Sequence, residues 1–123
     1  MPARHDVSGF IRSTFRSVWA LEVMCLLRND ADREWQRSEL VASMRASDLV
    51  IDQSLVSLIA GGLVVTTSDQ AVRYQPANEL LDALAGEAAA QYASSPDKVR
   101  RLIVSAAHGG LTAFADAFRM RGD

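Results

Sequence analysis

Between Arg37 and Tyr74 the spacing of apolar positions changes period twice, and the rest of the chain is arranged around that stretch. Leu40, Val41 and Met44 give one side of a short helix over Ser38 to Met44, and Arg45-Ala46-Ser47 interrupts it. Ile51, Leu55, Leu58 and Ile59 then follow the i, i+4, i+7, i+8 stripe of a helix buried along one side. Ser47 suits its N-cap with Asp48 in the first turn, and Gly61 or Gly62 can adopt the left-handed conformation that closes it, so a helix is predicted over Asp48 to Ala60. Leu63, Val64 and Val65 begin a β-branched run, Ser68-Asp69-Gln70 can turn it, and Ala71 to Gln75 can return it as a hairpin.

Upstream, a single helix is predicted from Ser8 to about Asn29. Phe15, Val18, Trp19, Val23, Leu26 and Leu27 supply its apolar face, widened by Leu21, Met24 and Cys25. Asn29 to Glu34 reads as an acidic loop. Trp35 is expected to anchor a short extended segment to the core, and Ser38 to cap the helix that follows. Downstream, Pro76 ends the strand pairing and Asn78 can cap a helix from Glu79 to about Ala93 with Leu80, Leu84, Ala88 and Tyr92 as its stripe. Ser95-Pro96 starts another helix. Its buried side is Val99, Leu102, Ile103 and Ala106; His108-Gly109-Gly110 breaks it, and Leu111, Phe114, Ala115 and Phe118 mark a last short helix. The reading is mainly α: a core over residues 8–76 and a helical extension over 77–123, whose surplus apolar surface predicts a homodimer.

Helix, tight turn, helix, hairpin, in that order, resembles the winged helix-turn-helix of bacterial transcription regulators. Ser47 to Val64 carries the likeness most closely, within a stretch from Ser13 to Gln75. The plan with extra helices at both ends looks like regulators of the multiple-antibiotic-resistance type. That type's wing has an acidic residue closely followed by arginine; here Asp69 and Arg73 stand further apart, and Arg73 alone is carried over. The resemblance implies a regulator of transcription that contacts DNA through the helix over 48–60 and the wing over 64–75; the single cysteine, Cys25, cannot form an internal disulfide and suits a reducing, cytoplasmic setting.

Charge complicates that expectation. The net charge is −2, and neither arginine nor lysine occurs between Arg45 and Arg73, although phosphate neutralisation supplies most of a protein's non-specific affinity for DNA. A turn of 100° per residue directs Leu49, Gln53, Val56, Ser57 and Ala60 outward. Gln53 and Ser57 could reach base edges, Gln53 by a two-point contact to adenine. Arg37, Arg45 and Arg73, with Arg12 and Arg16, could supply phosphate contacts if the fold gathers them on one side. The alternative is a protein–protein adaptor that docks a regulatory protein on Leu49, Val56 and Ala60.

Other chemistry finds little support. One cysteine and two histidines cannot build a structural zinc site. The acidic alternation Asp30, Asp32, Glu34 has Trp35 where a calcium loop needs glycine and Val41 where it needs glutamate. His5 stands near the start of the chain, His108 beside two glycines, and Cys25 within an apolar face, so no catalytic residue, cofactor or metal is expected. The run Val18 to Leu27 is too short to span a bilayer and is interrupted by Glu22, so no membrane association is expected.

Overall fold

The computed structural model describes residues 6–68 and 70–106; the predicted break at His108, the last helix at Leu111 to Phe118, and Asp69 of the wing turn lie outside them. The described chain is mainly helical with a small three-stranded antiparallel sheet in the order β1-β3-β2. Its elements are α1 (Val7–Thr14), α2 (Val18–Asn29), β1 (Trp35–Gln36), α3 (Arg37–Met44), α4 (Asp48–Ala60), β2 (Val64–Ser68), β3 (Ala71–Tyr74) and α5 (Glu79–Ser94). A further helix, α6, covers the described residues 96–106.

The single helix expected over residues 8–29 is two helices. Phe15 and Ser17 are extended, with φ/ψ of −99°/111° and −154°/161°. The Ser17 hydroxyl accepts the Ala20 N–H at 3.2 Å and so starts α2 afresh. The break buries Phe15 edge-on to Phe10, with ring centroids 5.7 Å apart and planes at 87°. It also turns α1 aside to pack against α5, while α2 runs behind α4 and β3. At the start of α1, Asp6 accepts the Gly9 N–H at 2.9 Å. A Cβ on Gly9 would stand only 2.2 Å from that carboxylate, so the cap needs glycine there.

Trp35 is buried and pairs with Val72 across β1 and β3, as its anchoring role requires. The Arg33 guanidinium lies 3.6 Å from the centre of its ring. Ser38 does not cap α3. The helix begins one residue earlier, and Glu39 reaches back to accept the Gln36 N–H at 2.7 Å. That hydrogen bond, with Arg33 beside it, holds the Glu39 carboxyl below its usual pKa. Between α3 and α4, Arg45 takes the left-handed conformation (φ 53°), and the Ala46 N–H turns back to the Val41 carbonyl at 3.2 Å.

α4 has the predicted bounds, with Ser47 accepting the Val50 N–H at 3.1 Å. Of the two glycines after it, Gly62 takes the left-handed turn (φ 76°), and the Leu63 N–H closes the helix on the Leu58 carbonyl at 3.0 Å. The buried arc consists of Ile51, Ser54, Leu55 and Leu58. Ile59, expected on that arc, is 42% exposed, because it sits about 90° round the helix from the arc's centre. Ser54 takes the buried place instead, and its hydroxyl has no hydrogen-bond partner among the described residues.

β2 and β3 form the expected hairpin, from Val64↔Tyr74 to Thr66↔Val72, with an irregularity before Ser68↔Ala71. Asn78 caps α5 by accepting the Leu81 N–H at 2.8 Å. Of the predicted stripe on α5, Ala88 is buried and Leu84 and Tyr92 pack against the core, whereas Leu80 is exposed and Ala85 is buried in addition. Small side chains bring α5 close to its neighbours. Across that approach Arg28 of α2 occupies the space where a Cβ on Gly86 would be, 2.7 Å from its Nη2. Ala85, Ala88, Val99 and Ile103 belong to the same hydrophobic cluster as Leu21, Leu40, Leu58 and Leu63, so α5 and α6 share one core with the hairpin and α4.

Candidate interaction surface on helix α4

Burying Ile51, Ser54, Leu55 and Leu58 fixes which side of α4 meets solvent. Leu49 is 64% exposed and Val56 67% exposed, with Gln53 and Ala60 also outward and Ser57 partly covered. An open cleft of about 570 Å³ runs along the C-terminal part of this face. One wall is Gln53, Val56, Ser57 and Ala60; the other is the α1–α2 junction, where Thr14 and Arg16 contribute. Gly61 forms its end, and a Cβ there would come within 3.1 Å of the Thr14 methyl, so the lack of a side chain allows that close approach.

The sequence-predicted site residues fall into separate groups. Gln53, Val56 and Ser57 share the cleft. Leu49 continues the same outward face one turn towards the N-terminus of α4. Arg45 is exposed on the preceding turn and makes no ion pair among the described residues. Arg73 is elsewhere: it donates to Gln75 Oε1 at 2.7 Å and borders a shallow hollow with Asp32, Tyr74 and Asp82.

Arg37 is close to α4, but it is already engaged. Its Nε and Nη2 grip the two carboxylate oxygens of Asp52, the second at 2.9 Å, and its Nη1 lies 3.4 Å from Asp48. This two-point hydrogen bonding holds the Asp52 carboxyl below its usual pKa. One guanidinium is shared between two carboxylates at that end of α4, with Arg45 exposed on the turn before it. Of the candidate arginines, Arg37 is thus held by Asp52, and Arg73 borders a different hollow from the one along α4.

Arg16 was legible only as a possible phosphate contact, with nothing to place it against α4. It is exposed, lines the cleft opposite Gln53, and has no ion-pair partner among the described residues. Asp52, the acid in the same cleft, is held by Arg37. The cleft thus joins an aliphatic wall to an uncompensated cation.

Cys25 is partly buried, and burial, with Glu22 nearby, pushes its thiol pKa up, away from the reactive thiolate. Among the described residues no group of histidine, cysteine, aspartate or glutamate is placed to hold a metal ion. Among them, too, no helix is long and apolar enough to cross a membrane. Comparisons with protein-family models, with curated proteins and with solved structures found no match for this chain.

Proposed function

We propose that this chain is a winged helix-turn-helix protein acting in transcriptional control, and that the outward face of α4 docks a regulatory protein in preference to DNA. The order α2, β1, α3, α4, β2, β3, with β1 added to the edge of the hairpin, supports the winged-helix reading. The observation that carries the choice of partner is the Arg37–Asp52 clamp beside the exposed Leu49 and Val56. It withdraws Arg37 from phosphate beside two large exposed aliphatic side chains on one helix face, the kind of surface a protein partner can cover. Function has to be argued from such a site, because the fold alone serves both uses.

The test has two arms. Leu49→Glu with Val56→Glu places charge at two largely exposed positions, so thermal stability should change little while co-purification of the regulatory partner is lost. Retention of the partner by the double variant removes the docking reading. In the second arm, labelled genomic duplexes are titrated at about 50 mM salt, where phosphate-contacting proteins bind most strongly. No binding is expected.

One observation favours DNA as a second reading: Gln53 and Ser57 share their cleft with the unpaired Arg16. Duplex binding that weakens steeply with added salt would establish that reading in place of the first.

Self-association belongs to the same proposal. Leu80 on α5 and Val104 on α6 are 53% and 47% exposed, and a second copy of the chain would cover them. Light scattering at micromolar concentration should give twice the chain mass; a monomeric mass rules the dimer out at that concentration.

A further inference from the structure

We infer that the partner presents an amphipathic α-helix to this cleft, with an aliphatic stripe lying along α4 and a carboxylate paired with Arg16. The inference rests on the docking reading and adds the shape and charge of what docks.

Shape comes from the spacing on α4. Leu49, Gln53, Val56 and Ala60 stand at i, i+4, i+7 and i+11, a stripe along one side of the helix. At 1.5 Å per residue it extends for about 16 Å, or three turns, the length over which an opposing helix can set its own i, i+4, i+7 anchors. The short side chain of Ala60 beside Val56 leaves the cleft open at the C-terminal end of the stripe. The cleft alone could hold a small molecule. Leu49 stands exposed beyond it on the far side of Gln53, however, and only a longer object reaches both Leu49 and Val56.

Charge comes from the two ends of the stripe. At the N-terminal end Arg37 answers Asp52 and approaches Asp48, and the exposed Arg45 stands on the preceding turn, so cations and carboxylates balance there. At the C-terminal end Arg16 is unanswered among the described residues. A helix lying on this face is therefore favoured when its acidic side chain falls beside Arg16. Complementarity of this kind sets orientation and partner choice more than raw affinity.

Two fluorescein-labelled stapled helical peptides test the inference against the full chain. Both carry the same leucine stripe; one has glutamates flanking the end of the stripe and the other has lysines in those positions. Fluorescence anisotropy reads affinity, and amide shifts at Gln53, Val56, Ser57 and Ala60 locate the site. The acidic peptide should bind tighter on the order of tenfold, combining an exposed attraction gained with a repulsion avoided. Arg16→Glu, at an exposed position without an ion-pair partner among the described residues, should reverse the order of the two peptides. Equal affinities, absence of binding by both, or an order unmoved by Arg16→Glu overturns the inference. If Val56→Glu abolishes both complexes while Arg16→Glu changes nothing, apolar docking stands and the charged contact fails. If Val56→Glu leaves both complexes intact, the docking reading fails as well. A salt-sensitive complex with duplex DNA that Arg16→Glu abolishes would assign Arg16 to phosphate, overturning the peptide assignment.

Discussion

Replacing Phe15 by alanine is expected to destabilise the protein by about 3–5 kcal/mol, the range for removing a fully buried aromatic ring. The ring is 1% exposed, and it meets Phe10 edge to face in the extended link between α1 and α2. Against a total stability of about 5–15 kcal/mol for a typical domain, the variant should unfold at much lower urea concentration. A loss below about 1 kcal/mol would mean that the site collapses around the missing ring and that Phe15 does not set the angle between the two helices. The consequence reaches the cleft, because Thr14 and Arg16 flank Phe15 directly. A variant that stays folded in water should therefore lose discrimination between acidic and basic helical peptides before it loses affinity for the aliphatic stripe.

The same link shows where the sequence could and could not be read. Apolar positions continue from Phe15 through Val18 and Trp19 with helical spacing, so periodicity alone carries one helix across the break. The available signal was Ser17, a good N-cap two residues after Phe15; its hydroxyl, and not the apolar pattern, decides where α2 begins. Ser38 misled in the opposite direction. It is a good cap residue, but Glu39 closes the box on Gln36 one turn earlier in the backbone. α4 was legible at both ends because Ser47 and Gly62 each carry a strong local preference, and its outward face followed from a fixed turn per residue. The electrostatics of the site were not legible. Arg37 and Asp52 are fifteen positions apart, and nothing local says that an arginine starting α3 will reach across to α4. Likewise, Arg16 joins α4 only because the chain bends at Phe15. The outward residues were thus a local property, while the charge that completes the cleft is a property of the fold.

The two tyrosines of the chain should titrate abnormally, and Tyr74 by the larger margin. Burial pushes its pKa up to about 12, and the hydrogen bond it donates to Asp82 at 2.7 Å adds to the effect, since a phenolate facing a carboxylate is repelled. Tyr92 is shifted in the same direction by burial and by its hydrogen bond to Glu22. In the unfolded chain both phenols ionise near pH 10. A group whose pKa is raised by folding contributes stability that is fully present below its unfolded value and is lost as pH rises through the folded one. For Tyr74 the loss therefore begins at about pH 10 and is complete above about pH 12. Native phenolate absorbance should rise at higher pH than that of the urea-unfolded chain, whose midpoint should lie near 10, while far-ultraviolet circular dichroism remains native. Tyr74→Phe should remove the later part of the native titration and flatten the fall in urea stability between pH 10 and 12. Native protein titrating with both phenols near pH 10 would mean that Tyr74 is solvated, and that its link from β3 to the start of α5 does not hold.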